Sequence, residues 1–138
     1  LYFSRQKIGI MRTLLTIVLL FGVLPVYSQQ NMPLKEEEKE MVISKMKAFE
    51  EVEQALVIDQ KEIEKVSLAL IVTSDTSKDR AKELGKHFLR NAMMHIADEN
   101  KPVKKVGKSK YNYMISVCTD RDVIVMGTKT PDEASITW

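Results

Sequence analysis

The stretch from Ile63 to Thr73 constrains the fold of this chain more than any other. Val66, Leu68, Leu70 and Val72 fall on one side of an extended backbone, and Ser67, Ala69, Ile71 and Thr73 fall on the other. Alternation with many β-branched residues reads as a strand. Apolar residues on both sides place that strand in the middle of a sheet, not at its margin. Such a chain has to supply partner strands and at least one covering layer of helix.

Partners lie on both sides in sequence. Ala55-Leu56-Val57-Ile58-Asp59 reads either as the end of a helix or as a short strand. The polar Asp59-Gln60-Lys61-Glu62 that follows suits a turn, which favours a hairpin of 55–59 with 63–73. Further on, Tyr111, Tyr113, Ile115 and Val117 alternate with Asn112, Met114, Ser116 and Cys118. Thr119-Asp120-Arg121-Asp122 then turns the chain, and Val123 to Thr128 pairs back.

Two helices are predicted. Pro33 suits a first helical turn, where its missing N–H is not needed, and Glu36, Glu37 and Glu38 suit the positive end of the helix dipole. Val42, Met46, Phe49, Val52 and Leu56 continue at three- and four-residue spacing, so helix one is expected from about Leu34 to Glu53. Thr76 with Asp79 resembles a capping box before helix two, expected from Lys78 to Ala97. Leu84, Phe88, Ala81, Ala92, Leu89, Ile96 and His95 share one arc of that helix with Gly85, whose bare backbone would permit close approach to the sheet. The predicted fold is α+β. Two helices pack on one face of a three- or four-stranded antiparallel or mixed sheet, in the order helix, optional strand, strand, helix, strand, strand.

Residues 1–28 read differently. Met11-Arg12-Thr13 precedes an apolar run from Leu14 to Leu24, and Pro25-Val26-Tyr27-Ser28 follows. A cation, a short apolar stretch and small residues at Val26 and Ser28 form the three-part layout of a secretory signal. The run is shorter than the roughly 20 residues that a spanning helix needs. Cleavage is expected near Ser28–Gln29, which leaves 29–138 as one domain, periplasmic or secreted, with no transmembrane segment after processing.

Charge and composition then narrow the function. Of the 21 basic residues Arg5, Lys7 and Arg12 precede residue 29, whereas all 19 acidic residues follow it, so the processed part carries −1. A near-neutral chain has no global field to gather polyanions, which excludes a bulk nucleic-acid binder. The charge is unevenly placed. Residues 29–64 hold five lysines against ten carboxylates, and residues 78–110 hold ten basic groups against four acidic ones. Lys101, Lys104, Lys105, Lys108 and Lys110 crowd one loop, a candidate contact for an anionic surface or an acidic envelope protein. The asymmetry also allows head-to-tail self-association.

No catalytic, cofactor or metal residue is nominated. His87 and His95 stand two helical turns apart, roughly 12 Å, too far to share one ion, and His95 is expected to be a buried, satisfied histidine. Cys118, the one cysteine, suits a small packed residue better than a nucleophile. Trp138 is expected to fold back over the sheet.

The run Ala81-Lys82-Glu83-Leu84-Gly85-Lys86-His87-Phe88 resembles a helix found in small exported bacterial proteins of unknown function. Tyr111-x-Tyr113, Gly127-x-Lys129 and Ile136-x-Trp138 look similar too. The resemblance covers about 50–138 and implies a shared fold and no activity. A looser likeness to BON-type envelope modules lacks their glycine pattern. The expected role is a non-enzymatic envelope domain that binds a partner. The rivals are a small secreted hydrolase or transferase whose site is scattered in sequence, and an inhibitor-like or chaperone-like accessory protein.

Overall fold

A computed structural model describes residues 33–138. The expected secretory segment, its expected cleavage point and the lead-in 29–32 lie outside the described residues. The order is α1 (Glu36–Lys47), β1 (Val52–Gln60), a 3-10 turn (Lys61–Ile63), β2 (Lys65–Val72), α2 (Lys78–His95), β3 (Asn112–Cys118) and β4 (Val123–Lys129). The four strands form one mixed sheet in the order β1-β2-β3-β4. β1–β2 and β3–β4 are antiparallel hairpins, and β2–β3 is a parallel seam with Leu68 opposite Ile115. Two hairpins are thus joined side by side through α2, the crossover that parallel neighbours require.

β2 is interior, as its two apolar sides require. Val66, Leu68, Leu70 and Val72 join the main core, while Ala69 and Ile71 form a second small cluster with Cys118. From the helices, Val42 and Met46 of α1 and Leu84, Phe88 and Leu89 of α2 enter the main core. Burying each such side chain contributes about 1.5–3 kcal/mol.

Helix one is shorter than its apolar spacing suggests. It ends at Lys47, Phe49 sits in the following turn, and Val52 and Leu56 belong to β1. The ambiguous segment 55–59 is therefore strand, and Asp59 lies inside it, not in the turn. Pro33 precedes the N-cap Lys35, whose N–H donates to the Glu38 carboxylate at 2.8 Å. The turn comes at 61–64, where Glu64 takes the left-handed conformation with φ 49°.

The cap of α2 also differs from the expected one. Ser77, not Thr76, is the N-cap, and its hydroxyl accepts from Arg80 N–H at 3.1 Å. Thr76 is engaged by Thr73, hydroxyl to hydroxyl at 3.1 Å. The helix ends at His95, two residues early. Ile96 N–H still bonds back to Ala92 C=O, and the Lys101 ammonium donates to the Met93 and Ile96 carbonyls.

The C-terminal segment returns to the sheet. Thr137 forms a two-bond antiparallel bridge with Thr128 beside β4, each N–H···O at 2.9 Å. This brings Trp138 against the core through a notch left by two glycines. A Cβ on Gly85 would stand 2.7 Å from the Trp138 ring and 3.1 Å from Ile115 of β3. A Cβ on Gly127 would stand 2.6 Å from Ile136 and 2.7 Å from the same ring. Gly85 therefore permits the expected approach to the sheet, with the indole as its tightest neighbour.

Candidate functional site

The five loop lysines prove to have different roles. Lys101 is bound to the end of α2, and Lys110 forms an ion pair with Asp98. That contact, ahead of the Tyr111 hydroxyl, holds the Asp98 carboxyl below its ordinary range. Lys108 is exposed, and its carbonyl accepts from the Asn100 side chain at 3.2 Å. Lys104 and Lys105 face a groove of about 370 Å³ between the loop, α2 and the C-terminal segment.

α2 lines the opposite wall with Lys86, His87 and Arg90, and Val106, Ala134 and Ile136 supply apolar surface. Spacing of four residues stacks Lys86 and Arg90 on one helix face. One carboxylate, Glu83, reaches the rim, and it is held by Arg80 at 3.0 Å. Four cations therefore surround an apolar lining with one acid among them, already paired. Within the rim, Arg90 Nη2 donates to the Val103 carbonyl at 3.4 Å, and Arg90 Nε is buried without a hydrogen-bond partner among the described residues.

The loop that carries Lys104 and Lys105 is fixed from beneath by Glu99. This buried carboxylate accepts from the N–H groups of Asn100 and Lys110 on one oxygen, and from Tyr111 N–H and the Tyr113 hydroxyl on the other. Tyr113 donates at 2.6 Å. Burial, then the hydrogen bond to Glu99, pushes the Tyr113 phenol well above its ordinary value. Tyr111 is raised in the same way by burial and by Asp98, which its hydroxyl contacts at 3.0 Å. At the far side of the loop, Gly107 takes φ 67° and its N–H donates to Ala134 C=O at 3.0 Å. Ser109 N–H likewise reaches Pro131 C=O at 3.0 Å.

Lys129 adds a buried ammonium on β4. It donates to Ser109 Oγ at 2.6 Å and to Thr130 C=O at 3.1 Å, and burial lowers its pKa. A serine and a lysine with a lowered pKa have the composition of a hydrolytic dyad. Here Ser109 Oγ already donates to Tyr111 C=O at 2.9 Å, both side chains are buried, and neither lines the groove. The contact holds the loop to the sheet.

The remaining candidates fall apart in space. His95 is only partly buried and stands beside α1, its Nε2 at 3.3 Å from Lys45 Nζ; burial and that ammonium lower its pKa. His95 is thus half-buried, not buried as its place in the apolar arc suggests. His87 is exposed at the groove, its ring 5.3 Å from Phe49. Cys118 is buried beside Ser116 Oγ, and burial raises its thiol pKa, the opposite of an activated nucleophile. Among the described residues, no group of three or more His, Cys, Asp or Glu side chains is placed to hold a metal ion, and no helix is long and apolar enough to cross a membrane.

The sequence reading located Lys104 and Lys105 but missed Lys86 and Arg90 opposite them. Their four-residue spacing outside the apolar arc of α2 was the signal available. The burial of Glu99 and Lys129 was not legible, since Glu99 stands among Asp98, Asn100 and Lys101 and Lys129 stands between two threonines. Comparison with protein-family models, curated proteins and solved structures yields no match.

Proposed function

We propose that the chain is an exported, non-enzymatic domain of the cell envelope that binds an anionic partner through the groove between α2 and the lysine loop. The observation that carries this reading is the groove itself: Lys86, Arg90, Lys104 and Lys105 converge where the one nearby acid, Glu83, is already paired. Unpaired cations around a partly apolar surface favour an anion without needing a large net charge. The test is retention on envelope membranes of the wild type and of a K86E/K104E/K105E variant. Loss of retention in the variant is expected, and equal retention at matched Tm removes the groove from the proposal. Export has its own test. N-terminal sequencing of the natural product should begin near Gln29, and a soluble cytosolic product that still carries Met11 would defeat it.

One observation favours a second reading, an accessory protein that lends a strand edge. β1 stands at the end of the sheet and, among the described residues, pairs with β2 alone. An edge strand offers a row of backbone groups to another chain. Hydrogen exchange decides it: β1 amides should slow when the protein is bound to envelope membranes, and unchanged β1 amides with slowed amides at 101–108 return the contact to the groove.

A further inference from the structure

We infer that the groove holds a small amphipathic anion, a carboxylate or phosphate head on a short apolar tail, and that Arg90 fixes the head. This rests on the reading of the groove as the anionic-partner site and names the kind of ligand it takes.

Three features separate such a ligand from a broad polyanionic surface. The first is the lining. Val106, Ala134 and Ile136 lie between the cations, and Ile136 is only 8% exposed. A surface that meets a polymer of phosphates or a lipid bilayer by charge alone has no use for an apolar floor. The second is size, since about 370 Å³ lies at the lower end of small-molecule sites. The third is the direction of the cations. Lys101 and Lys110 are tied to the end of α2 and to Asp98, so two of the five loop lysines point back into the fold and not outward to a flat surface.

Arg90 is singled out by its unfinished hydrogen bonding. Its Nη2 contact with Val103 C=O is long at 3.4 Å, and its buried Nε has no partner among the described residues. Val103 itself is 86% exposed. A modest turn of the guanidinium that releases Val103 presents Nε and Nη2 together. That edge matches the two oxygens of a carboxylate or phosphate, which would supply the missing acceptor in a bidentate bond. Lys86, Lys104 and Lys105 then stand as point charges around the head, and the tail covers Val106 and Ile136.

The test is titration calorimetry of the purified protein with decyl phosphate and decanoate below micelle formation. Decanol and inorganic phosphate serve as half-ligands, and vesicles of phosphatidylglycerol or phosphatidylcholine as surfaces. One equivalent of decyl phosphate or decanoate should bind, with each half-ligand at least tenfold weaker. R90K keeps the charge and loses the fork. It should bind decyl phosphate at least tenfold more weakly at an unchanged Tm. The proximity of Trp138 to Ile136 gives an independent fluorescence readout of tail binding. Equal affinity of R90K and wild type would overturn the role of Arg90. Sedimentation with phosphatidylglycerol vesicles that depends on Lys104 and Lys105, without decyl phosphate or decanoate binding, would overturn the small-ligand inference and leave the anionic-partner reading intact. Absence of both would defeat the two together.

Discussion

Asp59 and Glu99 are both carboxylates with almost no exposure, yet the protein stabilises them by different means. Asp59, on β1, accepts from Leu34 N–H at 3.0 Å and forms an ion pair with Lys39 of α1 at 2.7 Å. Burial alone would lower the Lys39 pKa, but the hydrogen bond and charge of Asp59, aided by Glu36, outweigh it and hold the ammonium above its ordinary value. Glu99 instead meets three backbone N–H groups and one phenol. The first arrangement depends on one long, partly exposed side chain. The second is built into the path of the backbone. A carboxylate held by backbone donors fixes the shape of a loop, whereas one held by a lysine ties two elements that are already formed.

The comparison breaks most directly at Glu99. Glu99→Ala orphans several buried donors at once and should lower stability by about 3–5 kcal/mol in urea denaturation. It should also disorder the 101–108 amides in hydrogen exchange. Asp59→Ala should cost less, about 2–3 kcal/mol, because Lys39 can swing toward water and Glu36. A double-mutant cycle with Lys39→Met should recover part of that loss, and strict additivity would show that the pair does not couple. If the two alanine variants destabilise equally, the distinction between backbone and side-chain support fails.

Next in size is the alkaline limb. Tyr111 and Tyr113 have folded pKa values raised above the unfolded value near 10. The unfolded state then loses protons first, so the contribution is fully present below pH 10 and stability falls as pH rises beyond it. Lys39, raised too, loses its contribution above about 10.5 in the same direction. Absorbance of phenolate at 295 nm isolates the Glu99 side, since Tyr111 and Tyr113 are the only tyrosines after residue 29. No phenolate step is expected before the protein unfolds. A step near pH 10 in folded protein would show that these hydroxyls are not sealed. The smallest effect should come from Lys129→Met. Ser109 keeps its bond to Tyr111, and exchanging a buried ion for an apolar side chain of similar volume should shift stability by about 1 kcal/mol or less.

The same contrast explains what could be read from sequence. β2, β3, β4 and α2 announce themselves because each buries a regular set of positions: Leu68 and Leu70, Tyr113 and Ile115, Val125, Leu84 and Phe88. The junction of α1 and β1 does not, because Phe49, Val52 and Leu56 happen to continue the helical spacing of Val42 and Met46 through the turn into an edge strand. Only pairing with β2, which the spacing within 42–56 does not reveal, decides the matter. Asp59 reads as a turn residue because its partner Lys39 belongs to another element. The lysine loop was visible as composition, but its division depends on Asp98, Glu99 and the end of α2. Arg90 becomes meaningful only when that loop is laid beside it.

The parallel seam between β2 and β3 has a consequence for how quickly the chain reaches this structure. Each hairpin can zip from its own turn, a local event, whereas the join between Leu68 and Ile115 must wait until α2 and the lysine loop have been traversed. Substitutions that trim this seam should therefore slow refolding, because its contacts form in the rate-limiting step. The domain should therefore assemble at the pace of one late meeting between two halves that can each form early.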